Sequence, residues 1–285
     1  MELEFWKMSG AGNDFIALDN MAGRFPEAGR SELFRRWCRR GTGIGADGVL
    51  VMEKTAGSLS AFRMRYYNAD GGEADTCGNG SRCIARFAHM QGVAESRMRF
   101  DTKAGPYQAT VLAGGEVKLE LTPATGYREG IAIGADPGAA DTEWSGEVDF
   151  IDTGVPHAVM FVPNVARVDV ERVGRFLRHH PAFAPTGANV NFVRVRDPRH
   201  LEIRTYERGV EGETLACGTG AVAASIVAAH RLMAQSPVLV KTASGEILEV
   251  AFETTSGGAA QVSLQGGADL IFRGIVAFNP AARGR

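Results

Sequence analysis

Two cysteines recur in one local frame, Cys77-Gly78-Asn79-Gly80 and Cys217-Gly218-Thr219-Gly220, and each is expected to follow a strand and open a helix. A thiol at a helix N-terminus faces free backbone N–H groups and the positive dipole end, which lower its pKa toward neutrality. The flanking glycines remove side-chain bulk, and the same N–H groups form an anion pocket suited to a carboxylate. Two such ends converging across a cleft would present thiols to opposite faces of one small anionic substrate. One cysteine then starts as a thiolate and removes a proton, while the other starts as a thiol and returns one. A stereocentre inverts, and the roles exchange with direction. The helix N–H groups would also stabilise charge spreading into the carboxylate in the transition state. A lone buried cysteine is ordinarily a packing residue, so the repeated frame is what points to chemistry. Cys83 on the apolar side of its helix and Cys38 beside Trp37 read as packing.

The frame is part of a larger internal duplication. Lys7–Leu18 (KMSGAGNDFIAL) is echoed by Asp152–Val162 (DTGVPHAVMFV). Gly43–Val51 (GIGADGVLV) is echoed by Thr186–Val195, and Tyr66–Gly80 by Thr205–Gly220. The order is the same in both halves, and Asn13 to Asp47 and His157 to Asn191 each span 34 positions. Each match is weak alone; three in register imply two similar domains facing each other.

The elements that must position these residues are mostly strands. Phe62–Tyr67, Arg97–Asp101, Glu116–Leu121, Leu201–Tyr206 and Ile247–Phe252 alternate apolar and polar residues between Gly, Pro and Asp breaks, which argues for many antiparallel strands. Helical spacing marks Ser31–Arg40, Gly80–Gln91, Val168–His180 and Thr219–Met233, the last apolar nearly all round and so expected to be buried on every side. The pattern is α+β, not alternating βαβ. With 285 residues, two domains are expected: residues 1–119, to which 269–285 return through a last strand Asp269–Phe278, and residues 120–268.

Composition narrows the function classes. The chain is 45% hydrophobic and 22% charged, that of an ordinary globular protein. Its 31 Lys and Arg nearly balance 33 Asp and Glu, so no strong field favours nucleic acid or an anionic membrane. No apolar run approaches a membrane span, and the acidic start (Glu2, Glu4) is not that of a secretory signal. The expectation is a soluble cytoplasmic protein. Four cysteines without CxxC pairing make neither a disulfide scaffold nor a zinc site. The glycine run Gly41–Gly45 lacks the Gly-Lys-Ser/Thr of a phosphate loop. Arg35, Arg36, Arg39 and Arg40 read as the solvated face of a helix. With no metal constellation, dinucleotide fingerprint or lysine in a pyridoxal setting, no cofactor is implied.

Asn13-Asp14-Phe15, Asn68-Ala69-Asp70-Gly71, Cys77-Gly78-Asn79-Gly80-Ser81-Arg82-Cys83, Asn191-Phe192, Tyr206-Glu207-Arg208-Gly209 and Ala216-Cys217-Gly218-Thr219-Gly220 together resemble diaminopimelate epimerase, a family of pyridoxal-independent amino-acid epimerases. The resemblance implies a pair of pseudo-symmetric domains, each a curled antiparallel sheet around a central helix, with the active site in the cleft between them. It implies interconversion of LL- and meso-diaminopimelate on the route to lysine and peptidoglycan, by a homodimer. By the same resemblance, Cys77 and Cys217 are the two bases, and His157 and Glu207 are polar residues that tune their protonation. The backbone of Gly78, Asn79, Gly218 and Thr219 cradles the reacting carboxylate. Asn13, Asn68, Asn191 and Arg208 grip the distal amino-acid end, Arg208 bidentately.

Two positions depart from the common family pattern: Gly48 where a substrate-binding Gln is often found, and Val155 where an Asn is often found. Both would touch the distal end of the substrate, so they bear on substrate identity and leave the catalytic half intact. The alternatives are a racemase of another or several amino acids, a non-catalytic amino-acid-binding protein of the same fold and, last, a dehydratase or isomerase, which typically lacks one of the paired thiols. The thiols also imply sensitivity to oxidation: should they close on each other, a Cys77–Cys217 disulfide inactivates the protein and reductant restores it.

Overall fold

The computed structural model describes residues 2–55, 59–75, 77–134 and 146–277. The chain divides into two compact units, Met1–Leu119 with Gly266–Arg285, and Glu120–Gln265. Phe278, expected to end the last strand, and the rest of the segment 278–285 lie outside the described residues.

The first unit runs β1 (Glu2–Gly10), β2 (Asn13–Asn20), α1 (Arg30–Cys38), β3 (Gly48–Glu53), β4 (Phe62–Asn68), β5 (Glu73–Ala74), α2 (Gly78–Met90), β6 (Arg97–Thr102) and β7 (Gly105–Val111), and β8 (Val117–Glu120) reaches the boundary. The second runs β9 (Thr125–Ala132), β10 (Glu147–Asp152), β11 (Pro156–Phe161), α3 (Val170–Arg178), β12 (Asn189–Asp197), β13 (His200–Glu207), β14 (Gly212–Thr214), α4 (Gly218–His230), β15 (Val238–Lys241), β16 (Ile247–Thr255) and β17 (Gly258–Gly266). The last strand, β18 (Asp269–Ala277), pairs antiparallel with β1. The mixed, sheet-dominated α+β class is the one that the sequence implies.

The duplication is written in the hydrogen-bond ladders. In the first unit β1–β2 are antiparallel, β2–β3 parallel and β3–β4 antiparallel; β4 then pairs antiparallel with β5 and parallel with β6, and β6–β7 are antiparallel. The second unit repeats this sequence of pairings with β10–β11, β11–β12, β12–β13, β13–β14, β13–β15 and β15–β16. The sheets are therefore mixed rather than purely antiparallel. A helix carries the chain across between β2 and β3 and again between β4 and β6, and such a crossover returns the strand in the same direction.

In each unit one helix is enclosed by its curled sheet and one lies on the outer face. α2 packs on β1, β2, β3, β4 and β7, and α4 on β10 through β13, β15 and β16. Outside, Phe25, Phe34 and Trp37 beside α1 pack with Val49, Val51 and Tyr67, while Val173 and Leu177 of α3 pack with Met160, Phe192 and Tyr206. The two-residue strand period sorts the side chains between these layers. On β12, Val190 and Phe192 go to the outer core, so Asn189 and Asn191 turn toward α4. On β4, Tyr67 meets Phe34 outside, so Tyr66 and Asn68 lie on the opposite face, shared with Met64, which touches Ser81 of α2.

Candidate active site

Both thiols cap the helices enclosed by the sheets. Cys77 is the N-cap of α2 and Cys217 the N-cap of α4, both in extended backbone. Each Sγ accepts the N–H three residues on, from Gly80 and Gly220, at 3.4 Å in both cases. An N–H donated to sulfur favours the thiolate, and the dipole at the N-terminus adds to it. The remaining first-turn N–H groups, from Gly78, Asn79, Gly218 and Thr219, belong to the set that a helix leaves open to an anion. Thr219 Oγ1 also lies 3.4 Å from Cys217 Sγ. The two other thiols are of a different kind. Burial pushes Cys38 up to about 11 and Cys83 up to about 12, which leaves them inert packing residues.

In the first unit a chain of amides and charges orients the residues beside Cys77. Arg82, fully buried, donates to Asn79 Oδ1 at 2.9 Å; Asn79 Nδ2 donates to Asn13 Oδ1 at 2.7 Å, and Asn13 Nδ2 to Asp47 Oδ2 at 3.1 Å. Arg40 bridges Asp47 and Asp14 at 2.8 and 2.6 Å, and Lys7 reaches Asp14 at 2.8 Å. Burial opposes ionisation of Asp14, but Arg40 and Lys7 prevail and hold its carboxyl at about 2. Arg40 is thus part of this chain, and the Gly41–Gly45 run closes the C-terminus of α1, Gly43 and Gly45 donating to the Arg39 and Trp37 carbonyls. Asn68 ends β4 exposed, directly across from Gly48.

Gly48 is occupied from above. A Cβ there would lie 2.7 Å from Cε2 of Tyr66, 3.3 Å from its hydroxyl and 2.6 Å from the Tyr67 carbonyl oxygen. The ring of Tyr66, edge-on to Phe15, therefore fills the space that a longer residue 48 would enter, and brings a hydroxyl with it.

The second unit gathers His157, Asn189, Asn191, Thr205 and Glu207 on the α4 side of its sheet. His157 is fully buried, and burial, then the nearby Arg208 charge, pushes its imidazole down to about 3. Its Nδ1 lies 3.0 Å from Asn191 Nδ2, and its Nε2 has no hydrogen-bond partner among the described residues. Burial pushes the Glu207 carboxyl up. Arg208 is half-buried, and its guanidinium makes no ion pair among the described residues. A half-buried arginine without an acid can pair bidentately with a carboxylate.

Asn191 differs from its expected role in gripping substrate. It is fully buried: Nδ2 donates to the Ala158 carbonyl at 3.1 Å and faces His157, and Oδ1 accepts from Thr205 Oγ1 at 3.0 Å. With its amide consumed internally, it holds protein rather than ligand. Two residues earlier on the same face, Asn189 accepts the Arg208 backbone N–H at 2.8 Å and so fixes the residue proposed to meet the distal end. The strand period was the available signal, since it places Asn189 wherever Asn191 points.

The diaminopimelate epimerase family pattern matches residues 5–126 and 150–268 of this chain. Diaminopimelate epimerases from Chlorobaculum tepidum, Hydrogenobaculum and Aquifex aeolicus are 42%, 41% and 40% identical over 94%, 95% and 95% of this chain and 99%, 98% and 97% of their own lengths. In fold, the chain is similar to a phenazine biosynthesis protein of the PhzF family from Bacillus anthracis (TM-score 0.70, 16% identity, 98% of this chain and 100% of that one). It is also similar to a hydroxyproline epimerase from Agrobacterium vitis (TM-score 0.70, 16% identity, 96% and 92%).

Proposed function

The chain belongs to the diaminopimelate epimerase family and is an isomerase of the epimerase class, and from that premise we propose that it interconverts LL- and meso-2,6-diaminopimelate by a cofactor-independent two-thiol reaction. The observation that carries the reading is the repeated cap: in two units of one topology, three residues after a short strand, a cysteine Sγ accepts a glycine N–H at the start of an enclosed helix. One thiolate takes the α-proton, and the C–H electron pair passes into the α-carbon and its carboxylate. The other thiol delivers its proton to the opposite face. The enzyme finishes with thiol and thiolate exchanged, ready for the reverse direction.

In this reading the first-turn N–H groups of Gly78, Asn79, Gly218 and Thr219 receive the reacting carboxylate. His157 and Glu207 set the protonation of the thiols. Asn13, Asn68 and Arg208 take the distal end, the unpaired guanidinium meeting its carboxylate. Tyr66 answers the departure at Gly48, its hydroxyl replacing the missing side chain as a polar contact. A homodimer in the cytoplasm completes the reading, since the reaction depends on reduced thiols; light scattering of the purified protein tests the dimer.

The test is α-proton exchange and inversion in D2O, followed by NMR, with LL-diaminopimelate and a panel of other amino acids. Inversion of LL-diaminopimelate by the wild type, reduced at least about 1000-fold in both Cys77→Ala and Cys217→Ala, is expected. Inversion of only another amino acid would shift the substrate, with Gly48 and Val155 as the cause. No exchange with any amino acid would leave a binding protein.

A further inference from the structure

The buried polar cluster behind Cys217 fixes the chemical form of His157. Two facts settle the orientation of the Asn191 amide. The Ala158 carbonyl only accepts, so the group 3.1 Å from it is the NH2 of Asn191. Thr205 Oγ1 lies 3.0 Å from the other end, where a hydroxyl donates to the amide oxygen. The same NH2 has its second hydrogen directed at His157 Nδ1, 3.0 Å away. A donor facing Nδ1 requires a bare lone pair there, and a neutral imidazole then carries its proton at Nε2. That Nε2 is buried and has no partner among the described residues, although a buried N–H is normally satisfied.

The cluster is also built into the turn that carries the thiol. A Cβ on residue 220 would lie 2.4 Å from Asn191 Oδ1, so the second glycine of Cys217-Gly218-Thr219-Gly220 makes room for the amide. In the first unit the corresponding glycine, Gly80, instead faces a methyl of Leu50 at 2.9 Å. The polar cluster is therefore a property of the second unit, and the duplicated motif alone does not create it.

We propose that Asn191 is a positioning residue that locks His157 as the neutral imidazole protonated at Nε2, so that His157 serves the reaction as a hydrogen-bond donor to an anionic sulfur or carboxylate and not as a proton carrier. This deepens the epimerase reading and rests on it for the role of the donor. The lock itself is a statement about the resting protein.

The experiment is two-bond 1H–15N correlation of the histidine-labelled full chain from pH 5.5 to 8.5, without substrate, beside kinetics of Asn191→Asp. In the wild type, His157 is expected to show a bare Nδ1 and a protonated Nε2, unchanged across the range. In Asn191→Asp a carboxylate replaces the donor and accepts Nδ1–H, so the tautomer reverses. The kcat for inversion is then expected to fall about 10- to 100-fold, the range found when a partner that orients a metal-bound histidine is lost, with KM changed less than about twofold. A wild-type His157 protonated at Nδ1, or titrating across that range, overturns the proposal even if the variant does not fold. A reversed tautomer with undiminished kcat overturns the role as donor. Failure of the wild type to act on diaminopimelate would overturn the substrate, and the tautomer readout would stand apart from it.

Discussion

His157 is the residue whose environment makes the clearest solution prediction. Its imidazole titrates near 6.5 in the unfolded chain and at about 3 in the folded one. Above pH 6.5 it is neutral in both states, and its contribution to stability is fully present. As pH falls from 6.5 toward about 3, the unfolded chain binds a proton that the folded chain refuses, and about 1.4 kcal/mol is lost per pH unit. Urea unfolding at pH 7, 6 and 5 should show this acid-side slope in the wild type and a shallower one in His157→Gln; equal slopes would count against a neutral buried imidazole. At Tyr66 the prediction is kinetic. Tyr66→Phe removes one hydroxyl beside Gly48, and one hydrogen bond of about 1 kcal/mol corresponds to a rise of about fivefold in KM for diaminopimelate with kcat little changed. An unaltered KM in steady-state assays would remove Tyr66 from the substrate contacts.

At the scale of elements, the two capped helices look alike in sequence and differ in what their first turns touch. Among the described residues a Cβ on Gly78 meets nothing within 4 Å, whereas one on Gly220 meets the Asn191 amide oxygen at 2.4 Å. That amide is held on both ends and cannot swing away. Gly220→Ala should therefore cost about 1–3 kcal/mol by overpacking, and Gly78→Ala should leave stability within about 0.5 kcal/mol; urea midpoints of the two variants test the contrast, and equal losses would refute it. The strand period explains how much of the site was readable. Alternation pairs Asn189 with Asn191 on one face of β12 and Thr205 with Glu207 on one face of β13; that His157 joins them follows from the pairing of β11, β12 and β13. Which asparagine of Asn189-Val190-Asn191 is spent on protein and which anchors Arg208 depends on cross-strand neighbours, and alternation says nothing about those.

For the whole molecule, the order of pairing sets what each unit needs. Residues 120–265 form a contiguous unit, with their own outer core around α3 and an enclosed α4. The first unit depends on the far end of the chain, because β18 covers the edge of β1 from Glu2 to Ser9. A chain ending at Gln265 is expected to lose at least about 4 kcal/mol through that exposed edge, while a 120–265 fragment keeps a cooperative thermal transition; circular dichroism of both decides it, and a stable 1–265 chain would disprove the dependence. The sequence by itself determined the α+β class, the duplication, the two helix-capping thiols and the family, because periodicity, turn residues and short motifs are local and survive without contacts. It did not determine the parallel pairings, the ring of Tyr66 over Gly48, or the burial that neutralises His157 and consumes the Asn191 amide. Those are set by which strands become neighbours and which side chains then compete for the same space and the same hydrogen bonds.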